Sequence, residues 1–257
     1  MKVGYVQFRP KFGDKEYNVS KMIDMASTLD AEVIVFPELA NTGYVFKSKE
    51  EIVTLAEPYD GPSIKRMQEF SKRKGALLAF GFAERFGDVF YNSAAVVTPE
   101  GEVKIYRKVH LFNEEKLYFN RGDKFFTFTW HDTVFGVMIC FDWIFPEAMR
   151  TLALMGAQIV LHPANLVLPY CQDAMVTRCI ENRVFEITAN RIGVERGLKF
   201  TGASQITAPG GIVLHRATKT KEEALAVDID PGLALQKSIN SYNDLFKDRL
   251  PSAYKLS

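Results

Sequence analysis

The chain lacks an excess of charge of either sign. Lys plus Arg number 32 and Asp plus Glu 31 in 257 residues, a formal net charge of +1. No basic field therefore recommends a nucleic acid or a membrane surface as partner, and the local run Lys72-Arg73-Lys74 reads as a solvated helix end. Cysteine is scarce as well. Cys140, Cys171 and Cys179 are an odd set with no C-x-x-C spacing, which argues against a disulfide framework and suits a reducing compartment. The four histidines, His110, His131, His162 and His215, are scattered without an H-x-x-x-H pattern, so no metal centre is expected. No apolar run approaches the ~18 residues of a membrane span. Met1 to Pro10 already reads as a strand rather than a leader, and a cytoplasmic protein is expected. Repeats, linkers and low-complexity tracts are missing too. Hydrophobic residues at 47% and charged residues at 25% describe an ordinary globular chain. One domain over 1–257 is expected, with 231–257 as a polar C-terminal tail engaged in subunit contacts.

What is present is a series of strand and helix signals. Val3 to Phe8 reads as a strand, followed by a helix with Val19, Met22, Ile23, Ala26 and Leu29 at helical spacing. Glu32 to Phe36 is apolar on both faces, as in a strand covered on both sides, and ends in Pro37-Glu38. Ser48 with Glu51 marks a helix start, and Gly61-Pro62 opens another that closes at Gly75. Strands follow over Leu77 to Phe82, Tyr91 to Thr98 and Val103 to Tyr106, the last running into Arg107-Lys108. Asn113 to Gly122 has no period and reads as a loop. Phe125 to Trp130 and Thr133 to Ile139 are strands, the second stopping at Cys140 just before a helix opened by Pro146 and closed by Gly156. Gln158 to Leu161 is a strand that exits into His162-Pro163-Ala164-Asn165. Ala174 to Phe185 reads as a helix with an Arg178–Glu181 pair at i, i+3. Strands over Glu186 to Asn190, Gly202 to Ala208, Ile212 to Leu214 and Ala224 to Ile229 complete the series, with Gly210-Gly211 as a hairpin turn. Mixed strand–helix units and hairpins in both halves specify an α/β fold with mixed sheets and helical outer layers. Ligands bind such folds beyond the carboxyl ends of the strands.

Four chemically able groups stand at strand exits, namely Glu38, Lys108, Cys140 and Asn165. Each has an ordinary alternative: an inert buried thiol, a solvated loop acid, a solvated lysine at a strand terminus. For Cys140, a thiolate is favoured if a helix N-terminus lies against it. Taken together, the segments Phe36-Pro37-Glu38-Leu39, Tyr106 to Phe112 around Lys108, and Ile139-Cys140-Phe141-Asp142 with Phe145-Pro146-Glu147 resemble the nitrilase superfamily of carbon–nitrogen hydrolases. The resemblance runs from the Val3 strand to about Arg249. It implies a four-layer αββα sandwich of two mixed sheets covered by helices, a Glu-Lys-Cys site and no cofactor or metal. In that frame Cys140 is the nucleophile, Glu38 the general base, and Lys108 with the Phe141 N–H the oxyanion donors. Glu115 matches a second acid of the family, with Glu114 its rival by position. The resemblance also implies a homodimer or a higher even oligomer.

Other classes fit worse. Gly202-Ala203-Ser204-Gln205-Ile206 lacks the second glycine of a serine-hydrolase elbow, and a four-layer phosphodiesterase needs Asp and His where this chain has Glu, Lys and Cys. A catalytically silent scaffold is the non-enzyme alternative. The substrate expected is a small amide, because Phe141-Asp142 replaces the Trp-Glu common after the cysteine in nitrile-cleaving relatives. A small nitrile or an N-carbamoyl amine is the alternative. Tyr44, Phe119 and Asn165 are the expected pocket walls, with Asn165 suited to bond a carboxamide.

Overall fold

The computed structural model describes residues 1–255. The first sheet begins with β1 (Lys2–Gln7), β2 (Val33–Val35), β3 (Leu77–Phe86), β4 (Val89–Val97) and β5 (Val103–Arg107). The second takes β6 (Thr127–Trp130), β7 (Thr133–Val137), β8 (Ile159–Pro163) and β9 (Phe185–Ala189). A separate hairpin of β10 (Val194–Glu195) and β11 (Leu198–Lys199) precedes β12 (Gln205–Thr207) and β13 (Val213–Arg216), which extend the second sheet. The chain then returns, and β14 (Glu223–Asp228) lies antiparallel on the edge of β1. Both sheets are six-stranded and mixed, ordered β14-β1-β2-β3-β4-β5 and β13-β12-β9-β8-β7-β6. In each, three adjacent strands run parallel, β1-β2-β3 in one and β7-β8-β9 in the other.

The period-2 pleat of a strand explains the layering. Val3, Tyr5, Val33, Val35, Leu77 and Ala79 join a core with Phe135, Val137 and Ile187 of the second sheet. Their neighbours Val6, Ile34, Leu78 and Phe80 face the opposite way, onto Val19 and Met22 of α1 (Lys15–Ser27). The next two helices are α2 (Lys49–Leu55) and α3 (Pro62–Lys74), and α3 packs Ile64 and Met67 into that same outer core. Later come α4 (Glu115–Tyr118), α5 (Pro146–Leu154) and α6 (Cys171–Asn182). Helix α5 lies close on the second sheet, where a Cβ on Gly136 would meet Leu152 at 3.0 Å. The order is helices, sheet, sheet, helices, as expected of a four-layer αββα sandwich.

Local punctuation behaves as the residue types require. Gly61 and Pro62 open α3, and Gly75 closes it at φ 69°, a left-handed position that glycine takes without Cβ strain. Several boundaries differ from expectation: β3 runs on to Phe86, and β12 covers only Gln205–Thr207. The strand before Cys140 stops at Val137, and a 3-10 turn, Cys140–Ile144, separates it from α5. Within the expected loop 113–122 lies the single turn α4. Helix α6 starts at Cys171 rather than Ala174, since Cys171, Met175 and Cys179 form one buried stripe, and it ends at Asn182 because Arg183 is left-handed at φ 51°. The segment after β14 folds back on its own chain. Lys237 Nζ donates to the carbonyls of Asn182 and Arg183 at 2.9 and 3.0 Å, capping the end of α6.

Candidate active site

Glu38 leaves the carboxyl end of β2 in a loop pressed against β3. A Cβ on Gly81 would lie 2.3 Å from the Leu39 nitrogen and 2.5 Å from the Glu38 Cα, so only glycine admits that approach. Leu39 itself sits at φ 45°, a strained conformation for a branched residue. Lys108 follows β5, and its carbonyl accepts from the Gly122 N–H at 2.7 Å. Cys140 opens the 3-10 turn at φ 41°, again a left-handed non-glycine position. That turn is pinned by Asp142, whose Oδ2 accepts from the Ile139 N–H at 2.9 Å and the Tyr106 hydroxyl at 2.7 Å. Its Oδ1 accepts from the backbone N–H of His110 at 3.1 Å and from its Nδ1 at 2.8 Å.

These loops bring the expected groups together. Lys108 Nζ is fully buried and donates to Glu38 Oε1 at 2.6 Å and to Glu115 Oε1 at 2.8 Å. An ammonium has three N–H groups, so one remains for a ligand. Asn92 Nδ2 donates to the same Glu38 oxygen at 2.7 Å, while Glu38 Oε2 is buried with no partner among the described residues. Of Glu114 and Glu115, it is Glu115 that lies at Lys108. Glu115 reaches Lys108, takes the Tyr44 hydroxyl at 2.6 Å and the Phe112 N–H at 3.2 Å, whereas Glu114 is exposed. Asn165 makes a contact the sequence did not suggest: its Nδ2 donates to the Glu38 carbonyl at 2.8 Å, so it ties the segment after β8 to the Glu38 loop. Its Oδ1 is buried and unpartnered among the described residues. Tyr44 and Phe119 line a small recess with Phe112 and Glu115. A second recess over Cys140 is lined by Phe112, Phe141, Trp143, Asn165 and Leu168.

The electrostatics follow from burial and pairing. Burial opposes the Lys108 charge, but the Glu115 and Glu38 carboxylates outweigh it and raise its pKa, so the ammonium persists. Burial raises the Glu115 carboxyl, with the Lys108 charge pulling the other way. The Cys140 thiol is pushed well above its ordinary value, first by burial and then by the Glu38 charge, against a smaller opposing effect of Lys108. This corrects the expectation of a helix-stabilised thiolate. The 3-10 turn stands between Cys140 and α5, and burial favours the neutral thiol. Sequence reasoning also missed what Asn92, Asp142 and the buried His162 do, because each has a partner far off in the chain: Glu38 for Asn92, Tyr106 and His110 for Asp142, and the Cys140 carbonyl for His162.

An α/β sandwich with a buried Glu-Lys-Cys cluster at the strand exits is the architecture of a hydrolase with a thiol nucleophile. Comparison with known proteins supplies the family: the carbon-nitrogen hydrolase model matches residues 2–236, and the chain belongs to that family. It is 46% identical over 259 residues to a nitrilase of Pyrococcus abyssi (strain GE5 / Orsay), covering 99% of both chains. An (R)-stereoselective amidase of Pseudomonas sp is 33% identical, over 97% of this chain and 91% of that one. Among solved structures, an amidase from Nesterenkonia sp. superposes with a TM-score of 0.82 at 26% identity, covering 98% of this chain and 94% of that one. The protein is thus an enzyme of carbon–nitrogen hydrolysis, and no helix among its described residues is long and apolar enough to cross a membrane.

Proposed function

We propose that the chain hydrolyses small aliphatic amides to the carboxylic acid and ammonia. The observation that carries this reading is the division of labour on Glu38, with Oε1 committed to Lys108 and Asn92, Oε2 without a partner among the described residues, and its charge acting on the buried Cys140 thiol. Glu38 takes the Cys140 proton as Sγ attacks the amide carbon. The oxyanion that forms is met by the third Lys108 N–H and the Phe141 N–H, donors each worth about 3–4 kcal/mol in the transition state. Collapse breaks the C–N bond, the proton on Glu38 passes to the leaving nitrogen, and a Cys140 thioester remains. Glu38 then deprotonates a water that attacks the thioester; the same donors hold the second oxyanion, and the proton returns to sulfur. Glu115 holds Lys108 in place. Tyr44 and Phe119 wall the site.

The amide is favoured because its first intermediate already carries the oxyanion for which Lys108 is positioned. A nitrile gives a thioimidate nitrogen first, which needs protonation before water can attack. The 46% identical relative named as a nitrilase supports the second reading, a small aliphatic nitrile. The test is kcat/KM for an aliphatic amide against the nitrile of the same chain length. A preference for the amide is expected; a nitrile preferred tenfold, about 1.4 kcal/mol in transition-state binding, overturns the substrate assignment. We also propose a cytoplasmic homodimer or higher even oligomer, which light scattering at micromolar concentration checks.

A further inference from the structure

Behind Cys140, between the second sheet and α5 and α6, lies a second buried polar cluster that the mechanism above does not use. His162 on β8 and Glu186 and Thr188 on β9 are all fully buried. His162 Nδ1 is 3.0 Å from both Glu186 Oε1 and Thr188 Oγ1, and the Thr188 hydroxyl donates to the same Glu186 oxygen. The other ring nitrogen, Nε2, is 3.1 Å from the carbonyl oxygen of Cys140. A carbonyl can only accept, so Nε2 carries the hydrogen and donates it, and the Nδ1–Glu186 contact is made through a further proton shared between the ring and the carboxyl. A carbonyl also has two lone pairs, which leaves room for the turn's own hydrogen bonding.

The Cys140 carbonyl and the Phe141 N–H belong to one peptide plane. In a trans peptide the C=O and N–H point in opposite directions, so a bond that fixes the carbonyl toward the rear fixes the N–H toward the front. Among the described residues, no carbonyl or side chain outside its own turn accepts from the Phe141 N–H. The plane also needs holding, since Cys140 lies at φ 41°, where a non-glycine residue is strained and an alternative peptide orientation competes. A donor on the carbonyl in addition polarises the peptide and strengthens its N–H as a donor.

We propose that His162, fixed by Glu186 and Thr188, is a positioning residue that locks the Cys140–Phe141 peptide with its N–H aimed at the oxyanion. The proposal rests on the assignment of the Phe141 N–H as an oxyanion donor in amide hydrolysis. It separates His162 from Cys140 itself, because the ring acts on the geometry of the hole rather than on the reactivity of the sulfur.

Three variants test it. His162→Asn keeps a polar group beside Glu186 but is too short to reach the Cys140 carbonyl. His162→Gln places an amide N–H near the position of Nε2, and His162→Leu removes both bonds. Two readouts are compared, steady-state amide hydrolysis and the rate at which iodoacetamide alkylates Cys140. Alkylation is a displacement at carbon that develops no oxyanion, so it reports the thiol alone. His162→Asn and His162→Leu are expected to lose tenfold to a hundredfold in kcat with KM changed less than threefold, approaching the loss of one oxyanion donor. Their alkylation rates should stay within twofold of wild type, and propionaldehyde, which forms a tetrahedral adduct on the thiol, should bind more weakly by the same factor as kcat/KM falls. His162→Gln should recover most of the turnover. Equal impairment of the Asn and Gln variants, a parallel fall in alkylation and turnover, or kcat within twofold of wild type in His162→Asn would each overturn the proposal. If His162→Leu does not fold, the Asn–Gln pair carries the comparison. Failure of the amidase reading is visible separately, as a wild-type enzyme that releases no ammonia from the amide.

Discussion

The front and the rear of the second sheet contain similar chemistry and put it to different use. At the front, Cys140 meets Glu38 and a lysine; at the rear, Cys171 and Cys179 lie near Glu186 and a histidine. In both places burial raises the thiols well above their ordinary value and a carboxylate raises them further. In both, one carboxylate oxygen is buried without a partner among the described residues. The difference lies in backbone and access. Cys140 stands at a left-handed turn beneath a recess, whereas Cys171 and Cys179 are spaced along the inward stripe of a helix with the sheet against them. Similar residue types at front and rear thus sit in different backbone settings, and only the front thiol lies at the edge of a recess.

Removing the proposed nucleophile at the front should give the largest effect. Cys140→Ala is expected to retain its fold by circular dichroism and to lose four or more orders of magnitude in kcat/KM, whereas Cys171→Ala loses little. Next comes Lys108→Met, which removes the proposed oxyanion donor and leaves two buried carboxylates without their cation. Turnover should fall about 10²- to 10³-fold and stability by about 3–5 kcal/mol at neutral pH. Carboxylates buried without a cation have raised pKa values, so their neutral forms suit the fold. The stability gap to wild type should therefore narrow as pH falls and widen as it rises, measured by urea unfolding between pH 4 and 8.

A backbone change of smaller effect probes how the base is carried. Gly81→Ala drives a Cβ into the Glu38–Leu39 backbone and should cost at least tenfold in kcat, because small misplacements of a reacting group are expensive. The smallest effect concerns the rear thiols. Their native pKa values lie above the ordinary value of 9.0, so the unfolded chain loses its thiol protons first. Their contribution to stability is fully present below that value and falls as pH rises through it, by up to about 1.4 kcal/mol per pH unit for each group. Cys171→Ala with Cys179→Ala should flatten the alkaline decline in unfolding free energy while leaving amide turnover near wild type.

Much of this was legible in the chain itself, for reasons that are local. Pro62 and Gly75 delimit α3 because φ preferences act residue by residue, and Glu38, Lys108 and Cys140 are visible because each stands at a strand exit inside a recognisable motif. What escaped depends on which strand faces meet. Asn92 serves Glu38 across 54 positions and His162 serves Cys140 across 22, and no periodicity marks either. Asn165 lines the recess over Cys140, and the bond its amide makes to the Glu38 carbonyl, 127 positions away, left no mark in the sequence. The ionisation of Cys140 was misjudged because burial belongs to the packed molecule, not to the strand–helix junction. Helix α4 is one turn long, too short to leave a repeat in the sequence.

The central claim is that Cys140 is acylated during turnover. Wild-type enzyme mixed with a small aliphatic amide, quenched in acid within the first turnovers and digested, should show by mass spectrometry an acyl adduct on the peptide containing Cys140, and no adduct in Cys140→Ala. An acyl group found instead on Cys171 or Cys179, or undiminished ammonia release by Cys140→Ala, would contradict it.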